Sequence, residues 1–362
     1  MGCIQSPGSK RRLSKQPTAL RGWLIFPLLL LAATAAPTPG VLKTFGDWIV
    51  GCDNGRACQA VALVPPNEEH QFKHLTMVLT RDAQPDDQPF LFIDTEDLEP
   101  VAVEADGVRI PVKLVSDLGR VWIRADDAKA FIEATRLKRN VSLVGGKLKG
   151  EWRISLSGMA AALLYMDEQQ KRVGTVTALI GKGPGTIVPM PPVLPVIVSA
   201  PTSNREPRKL SVRDYLRVTK SLGCDPSDLR RYAAAGYYAY SYRLDAQTTL
   251  ALLEHPCELG PYSRMSFALL IDEKGRVRPA QFDVPPGPDD DSPSNSIANA
   301  EWDYDTMQLR EFKKGRGLLD CGTTRDFAWD GVRFRLVAQS NMDECAGSTD
   351  FIPTWRATVS RP

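Results

Sequence analysis

His70, His74 and His255 are the only imidazoles in the chain. His70 and His74 stand four apart with Glu68 and Glu69 beside them. On a helix they would share a face and could hold a metal. Gln71, however, stands where the HExxH zinc proteases carry their catalytic acid, so the cluster reads as a solvated loop. His255 precedes Pro256 and Cys257 and reads as local structure. Acyl transfer needs a nucleophile, a base and an orienting acid, and no G-x-S-x-G elbow is present. Gly181-Lys182-Gly183 lacks the remainder of a phosphate-binding loop. Asp289-Asp290-Asp291 and the Asp303, Asp305 pair are the conspicuous carboxylates. Glycoside hydrolysis uses carboxylates paired in space, but adjacent aspartates in a proline-bearing stretch read as a wet loop without calcium-loop spacing. No catalytic, cofactor-binding or metal-ligating set is expected, and no cofactor.

Sulfur chemistry points elsewhere. Of seven cysteines, Cys3 lies in the basic head, leaving Cys52, Cys58, Cys224, Cys257, Cys321 and Cys345. An even count suits disulfides in an exported chain. Cys52 and Cys58 stand alone in the first half and flank Asn54-Gly55, a hairpin signal. Their closure of so short a loop contributes about 2 kcal/mol on the chain-entropy view. Three pairings remain for the other four; Cys224–Cys257 with Cys321–Cys345 is the one expected. Without a CxxC pair, a metal role is disfavoured.

Tyr238, Tyr240 and Tyr242 alternate, with Tyr237 on the opposite face. Trp302, Tyr304, Trp329 and Trp355 follow in the same half. An aromatic row on a sheet either packs a core or stacks a partner. Lys313-Lys314-Gly315-Arg316-Gly317 is a basic turn that could meet an anionic group. Tyr238, Tyr240, Tyr242, Trp302, Trp329, Lys313, Lys314 and Arg316 form the candidate binding face.

These groups must be positioned by structure outside the first 36 residues. That head carries Lys10, Arg11, Arg12, Lys15 and Arg21, an apolar run from Trp23 to Ala33, and small residues to Ala36. It has the three parts of a secretory signal, with cleavage expected after Ala35 or Ala36. Its apolar run is shorter than the roughly 20 residues of a spanning helix. Removing five positive charges from a net of +2 leaves the mature chain near −3, which excludes the basic signature of a nucleic-acid binder. The expected compartment is the periplasm, with secretion as an alternative, and no membrane span after cleavage.

Hydrophobic residues make up 43% of the 362 and charged ones 24%, an ordinary globular balance. The fold class expected is mainly β with minor α: two antiparallel β-rich domains, sandwich or meander, with a few packed helices. The first spans residues 37–182 and the second 210–362. Residues 183–209, with seven prolines, form an extended linker that lies against the domains. Hairpins are expected at Asn54-Gly55, Asp106-Gly107, Gly145-Gly146, Lys274-Gly275 and Asp330-Gly331. Helices are expected at Ala125–Thr135, at Met159–Lys171 capped by Ser157, at Val212–Leu222 capped by Ser211, and at Asp225–Ala234. Asp167 with Lys171, and Glu168 with Arg172, are spaced as surface pairs on the second of these. Thr175–Ile180 is expected to return as a strand.

Three tracts carry a resemblance: FGDWIVGCDNGRACQA, GMAAALLYMDEQQKRVGTVTALIGKG and KKGRGLLDCGTTRDFAWDGVRFRLV. Together they resemble the exported bacterial family catalogued as domain of unknown function 1176, over residues 43–360. The first two are also loosely similar to the invasion-associated locus B proteins, envelope proteins with a β-rich domain. The resemblance implies export, a bacterial source and the cysteine framework; it brings no activity or site residues. The third tract departs from the family pattern, with Leu318-Leu319 in place of Leu-Gly; glycine there would permit a tight turn, so a strained loop is not carried over. The expected function is a non-catalytic periplasmic binding or structural module for an envelope protein or glycan. The alternatives are an envelope hydrolase whose carboxylates converge in the fold, and an inhibitor of a secreted enzyme.

Overall fold

A computed structural model describes residues 2, 36–66, 73–95, 100–146, 148, 152–220, 227, 230, 231, 234, 239–259, 263–286 and 293–362. At 73–74 and 255–259 the backbone alone is described. Residues 36–362 form one compact unit, and its architecture is mainly β with few helices.

Trp48–Cys52 explains the layering. Its five residues are all buried. Trp48, Val50 and Cys52 point into one apolar cluster, and Ile49 into another. A strand alternates its side chains, so an unbroken apolar run such as WIVGC needs a cover on each face. This strand sits in an antiparallel seven-stranded sheet ordered 43–45, 48–52, 58–62, 77–81, 90–94, 120–124, 115–117. One face of the sheet packs on Val103, Val141, Leu143 and Ile154 of a second sheet and on two helices, α1 (Ala125–Thr135) and α2 (Met159–Gln169). The other face meets Cys321, Met342 and Ile352 from the C-terminal half.

The second half repeats this logic. In Thr248–Leu259, Leu250 and Leu252 face one cluster, and Ala251 and Leu253 another. The first cluster is shared with Leu309, Phe327, Trp329, Phe334 and Leu336 of a five-stranded antiparallel sheet built on 301–303, 308–314, 322–329, 334–342 and 352–356. The second is covered by Tyr215 of α3 (Val212–Thr219). Ser211 caps α3 as expected, its hydroxyl accepting from the Asp214 amide at 3.1 Å. Residues 227, 230, 231 and 234 are helical, in keeping with the expected next helix.

The two halves are stitched together through polar groups. The side-chain amide of Asn54, at the tip of the first hairpin, exchanges two bonds with the Arg356 backbone, at 2.9 and 2.8 Å. The Arg356 guanidinium pairs with buried Asp53, and Arg120 pairs with Asp350 at 2.7 Å. Within 183–209, Val196–Val198 pairs in parallel with Thr358–Ser360.

Several local expectations hold. The α1 span is as read from sequence. Asp106 and Gly107 both take left-handed φ, 52° and 75°, in a two-residue turn. Gly275 and Gly331 do so at 78° and 95°.

Three expectations are corrected. Ser157 does not cap α2; Gly158 holds that place at φ 93°, with no side-chain cap. The Ser157 carbonyl accepts instead from the Asp47 amide at 2.9 Å, and a Cβ on Gly158 would stand 1.6 Å from the Phe45 carbonyl oxygen. Only glycine fits so close an approach. Residues 176–180 are turns and bends, and Thr175 makes only an isolated parallel bridge to Gly185, not a strand; the Asp167 carboxylate gathers the amides of Leu179, Ile180 and Gly181 at 2.9, 2.9 and 3.2 Å. The expected surface pairs Asp167–Lys171 and Glu168–Arg172 therefore do not form on α2: Asp167 and Arg172 are each fully buried, and Arg172 lies beyond the helix end at Gln169.

Candidate functional site

The edge strand Ala239–Arg243 places Tyr240 and Tyr242 on one face, opposite Leu252 and Leu250 of its neighbour. That face looks toward the second five-stranded sheet. Because Ala239–Arg243 is an edge, its tyrosines reach past the shared core to the other sheet's edge, Glu301–Asp303. There Tyr242 stacks on Trp302, centroids 5.7 Å apart and planes 25° apart, and meets Tyr304 edge-on at 6.0 Å. The result is a ledge with a buried base and a wet rim: Trp302 is 6% exposed, Tyr240 49% and Tyr304 71%. Burial holds the Tyr242 phenol above its ordinary pKa, with Tyr304 and Tyr240 adding to the shift. Tyr240, Tyr242 and Trp302 stand on strands of packed sheets, and Tyr304 on the turn that follows Glu301–Asp303.

The other candidate residues separate. Trp329 is a core residue, 3% exposed, with its indole N–H donating to Asp245 at 2.6 Å. Lys313 and Lys314 lie at the far end of Gln308–Lys314, whose Leu309 is the partner of Trp302. Four and five residues of strand carry them about 14 and 17 Å from the ledge. The Lys314 ammonium lies over the Phe312 ring at 5.8 Å. Arg316 is committed to Asp320 through two bonds of 2.7 and 2.5 Å. That pairing holds the Asp320 carboxyl below its ordinary pKa, helped by the Gly347 amide. Leu319 takes a left-handed φ of 63°. The turn that glycine would have eased is thus made by leucine, and the strained backbone is present after all.

Tyr237, Tyr238, His70 and Asp289–Asp291 lie outside the described residues, as do the side chains of His74 and His255. Cys52–Cys58 and Cys321–Cys345 are disulfides, with Cα atoms 4.0 and 4.7 Å apart. In the first, the two residues are direct partners across the hairpin. The expected Cys224–Cys257 pair falls outside the described residues. Among the described residues no cluster of His, Cys, Asp or Glu could hold a metal, and no helix is long and apolar enough to cross a membrane.

Sequence reasoning missed a buried charge network. Arg81 donates to Asp167 at 2.8 Å, to Gln170 at 2.6 Å and to the Thr177 carbonyl at 3.1 Å. Gln170 returns donors to the carbonyls of Arg56 and Arg81, both at 2.9 Å. Arg172 donates to the carbonyls of Pro85 and Gln84. Burial lowers the Arg81 guanidinium to about 10 despite the Asp167 carboxylate. A signal was there. The buried positions of α2 are Met159, Ala162, Leu163, Met166 and Asp167, so an acid falls on the apolar stripe.

Three cavities open on the described residues. The one beside Lys129 and Lys182 has Asp87, a larger groove at the start of α2 has Asp47, and the narrow one of about 20 Å³ behind the ledge has none. This last space is about that of one water.

Disulfide staples and antiparallel sheets define a mainly β architecture. The chain belongs to the family described as protein of unknown function DUF1176, whose model matches residues 42–360. It is similar to the uncharacterized protein YpfG of Escherichia coli (strain K12), 29% identical over 348 residues, which cover 90% of this chain and 94% of that protein. No solved structure matches.

Proposed function

We propose that this protein is an exported, non-catalytic binding module of the bacterial envelope whose aromatic ledge engages a glycan or protein partner. The observation that carries the reading is the Tyr240–Tyr242–Trp302–Tyr304 ledge. Its outer rings are exposed while its inner ring is packed, the arrangement that lets an aromatic face gain contact without losing side-chain freedom. Two disulfides support an oxidising compartment. The basic, apolar and small-residue order of the first 36 residues supports export.

The test is retention of the oxidised chain by purified cell-wall sacculi and by solubilised envelope protein, with Tyr240→Ala/Tyr304→Ala as the probe. Several-fold weaker retention of that variant, at unchanged melting temperature, supports the ledge. Retention equal to that of the parent, or none by either material, overturns it. Fractionation of the producing cell, with N-terminal sequencing of the product, decides export; a product starting at residue 36 or 37 in the periplasmic fraction is expected.

A further inference from the structure

A groove of about 700 Å³ lies beside the start of α2, lined entirely by residues of the first half and independent of the ledge. After α1 ends, the chain turns tightly, with the Lys138 amide bonded to the Thr135 carbonyl at 2.8 Å. This turn puts Arg136, Lys138 and Arg139 on the groove within four residues. The Arg139 carbonyl accepts from the Leu156 amide at 2.7 Å, which fixes the turn against strand Trp152–Ser155. That strand adds Arg153, on the face opposite Ile154, which is in the core.

Among the described residues four cations thus meet one lining carboxylate, Asp47, whose Oδ2 is occupied by the Ser155 hydroxyl at 2.6 Å, and Arg153 is itself already engaged. Arg136 and Lys138 have carboxylate partners, Glu133 and Asp106, that are not part of the lining. Those pairs are exposed and weak. Arg139 has no ion pair among the described residues. The wall is completed by Ala160 and Ala161 in the first turn of α2, a helix whose start no side chain caps.

We propose that this groove binds phosphoryl groups, as a phosphomonoester or phosphodiester on a larger carrier. Guanidinium forks and first-turn amides both match a tetrahedral oxyanion. The space exceeds what one phosphate fills, so the carrier enters too. A phosphorylated glycan and a phospholipid headgroup share this chemistry, and the experiment separates them.

The oxidised chain is titrated calorimetrically with tripolyphosphate at low salt, and sedimented with phosphatidylethanolamine vesicles with and without phosphatidylglycerol. Saturable tripolyphosphate binding is expected. It should weaken about tenfold in Arg139→Gln, weaken also in Lys138→Gln, fall with added salt, and persist in Lys313→Gln/Lys314→Gln. Amide shifts at Ala160 and Ala161 should report the same titration. Vesicle binding with the same Arg139 dependence assigns the lipid source; tripolyphosphate binding without vesicle binding excludes it and leaves the phosphoryl group on a soluble or glycan carrier. The proposal is overturned by non-saturable binding, by Arg139→Gln and Lys138→Gln variants that fold and bind as the parent does, or by a loss confined to the Lys313/Lys314 variant.

Discussion

Trp48–Cys52 and Thr248–Leu259 solve one problem with different companions. Each is covered on both faces, but one layer over the first sheet is helical and tied by a buried ion pair, Arg81–Asp167, at 1% and 0% side-chain exposure. The layer facing the second strand is aromatic, with Phe282 stacked on Phe334 at 5.1 Å and edge-on to Phe327 at 5.0 Å. Charge in the first half specifies one arrangement, since every lone pair of Asp167 has a named donor. Area in the second half tolerates substitution by degrees. Failure should therefore be abrupt in one half and graded in the other.

The largest effect is expected at Asp167→Ala. It strands the buried Arg81 guanidinium and releases the 179–181 amides, at a cost of about 3–5 kcal/mol, read by urea denaturation. An Arg81→Met/Asp167→Leu double variant should recover most of that loss, because the desolvation penalty goes with the pair. A double variant as unstable as the single one would mean that the network acts through the loop amides rather than through charge. Leu252→Ala, on the aromatic side, is expected to cost about 2–5 kcal/mol by transfer and cavity terms. A denaturant slope unchanged from the parent would show that the rest of the second half stays packed.

What was legible in the sequence follows this division. Apolar alternation and turn chemistry are local, so α1, the cap at Ser211 and the pairing of Cys52 with Cys58 could be read directly. The burial of Asp167, spaced four from Lys171, and of Arg172, spaced four from Glu168, could not, because four-apart spacing describes a wet helix face and a buried one alike. Only the coincidence of Asp167 with the Met159, Leu163, Met166 stripe separates the two. Trp302 and Trp329 were ambiguous for a related reason. A strand shows which residues share a face, but not whether another sheet covers it. The basic groove is not legible in the sequence because its lining comes from a connector, a strand and a helix start that are adjacent only after folding.

A smaller effect is expected at the junction of the halves. Asp320, with its carboxyl depressed by Arg316 and Gly347, contributes stability that is present above the ordinary carboxylate pKa and lost as pH falls through its folded value. Asp320→Asn should cost about 1–3 kcal/mol at neutral pH. Parent and variant should converge in acid, as measured by melting across a pH series. A constant difference would assign the loss to packing beside Cys321 instead.

The smallest stability effect is expected at the ledge itself. Tyr240 is half exposed on an edge strand, so Tyr240→Ala should change stability by no more than about 0.5 kcal/mol. Trp302, buried beneath Tyr242, should cost several times more when truncated. If the outer rings serve a partner and the inner ring serves the fold, binding and stability come apart along this one row. Tyr240→Ala then weakens retention on the partner at unchanged melting temperature, while Trp302→Phe lowers the melting temperature with retention kept in the fraction that remains folded. A Tyr240→Ala protein that melts early would place the tyrosine in the core's service, and the ledge would be the rim of the aromatic layer rather than a face turned outward.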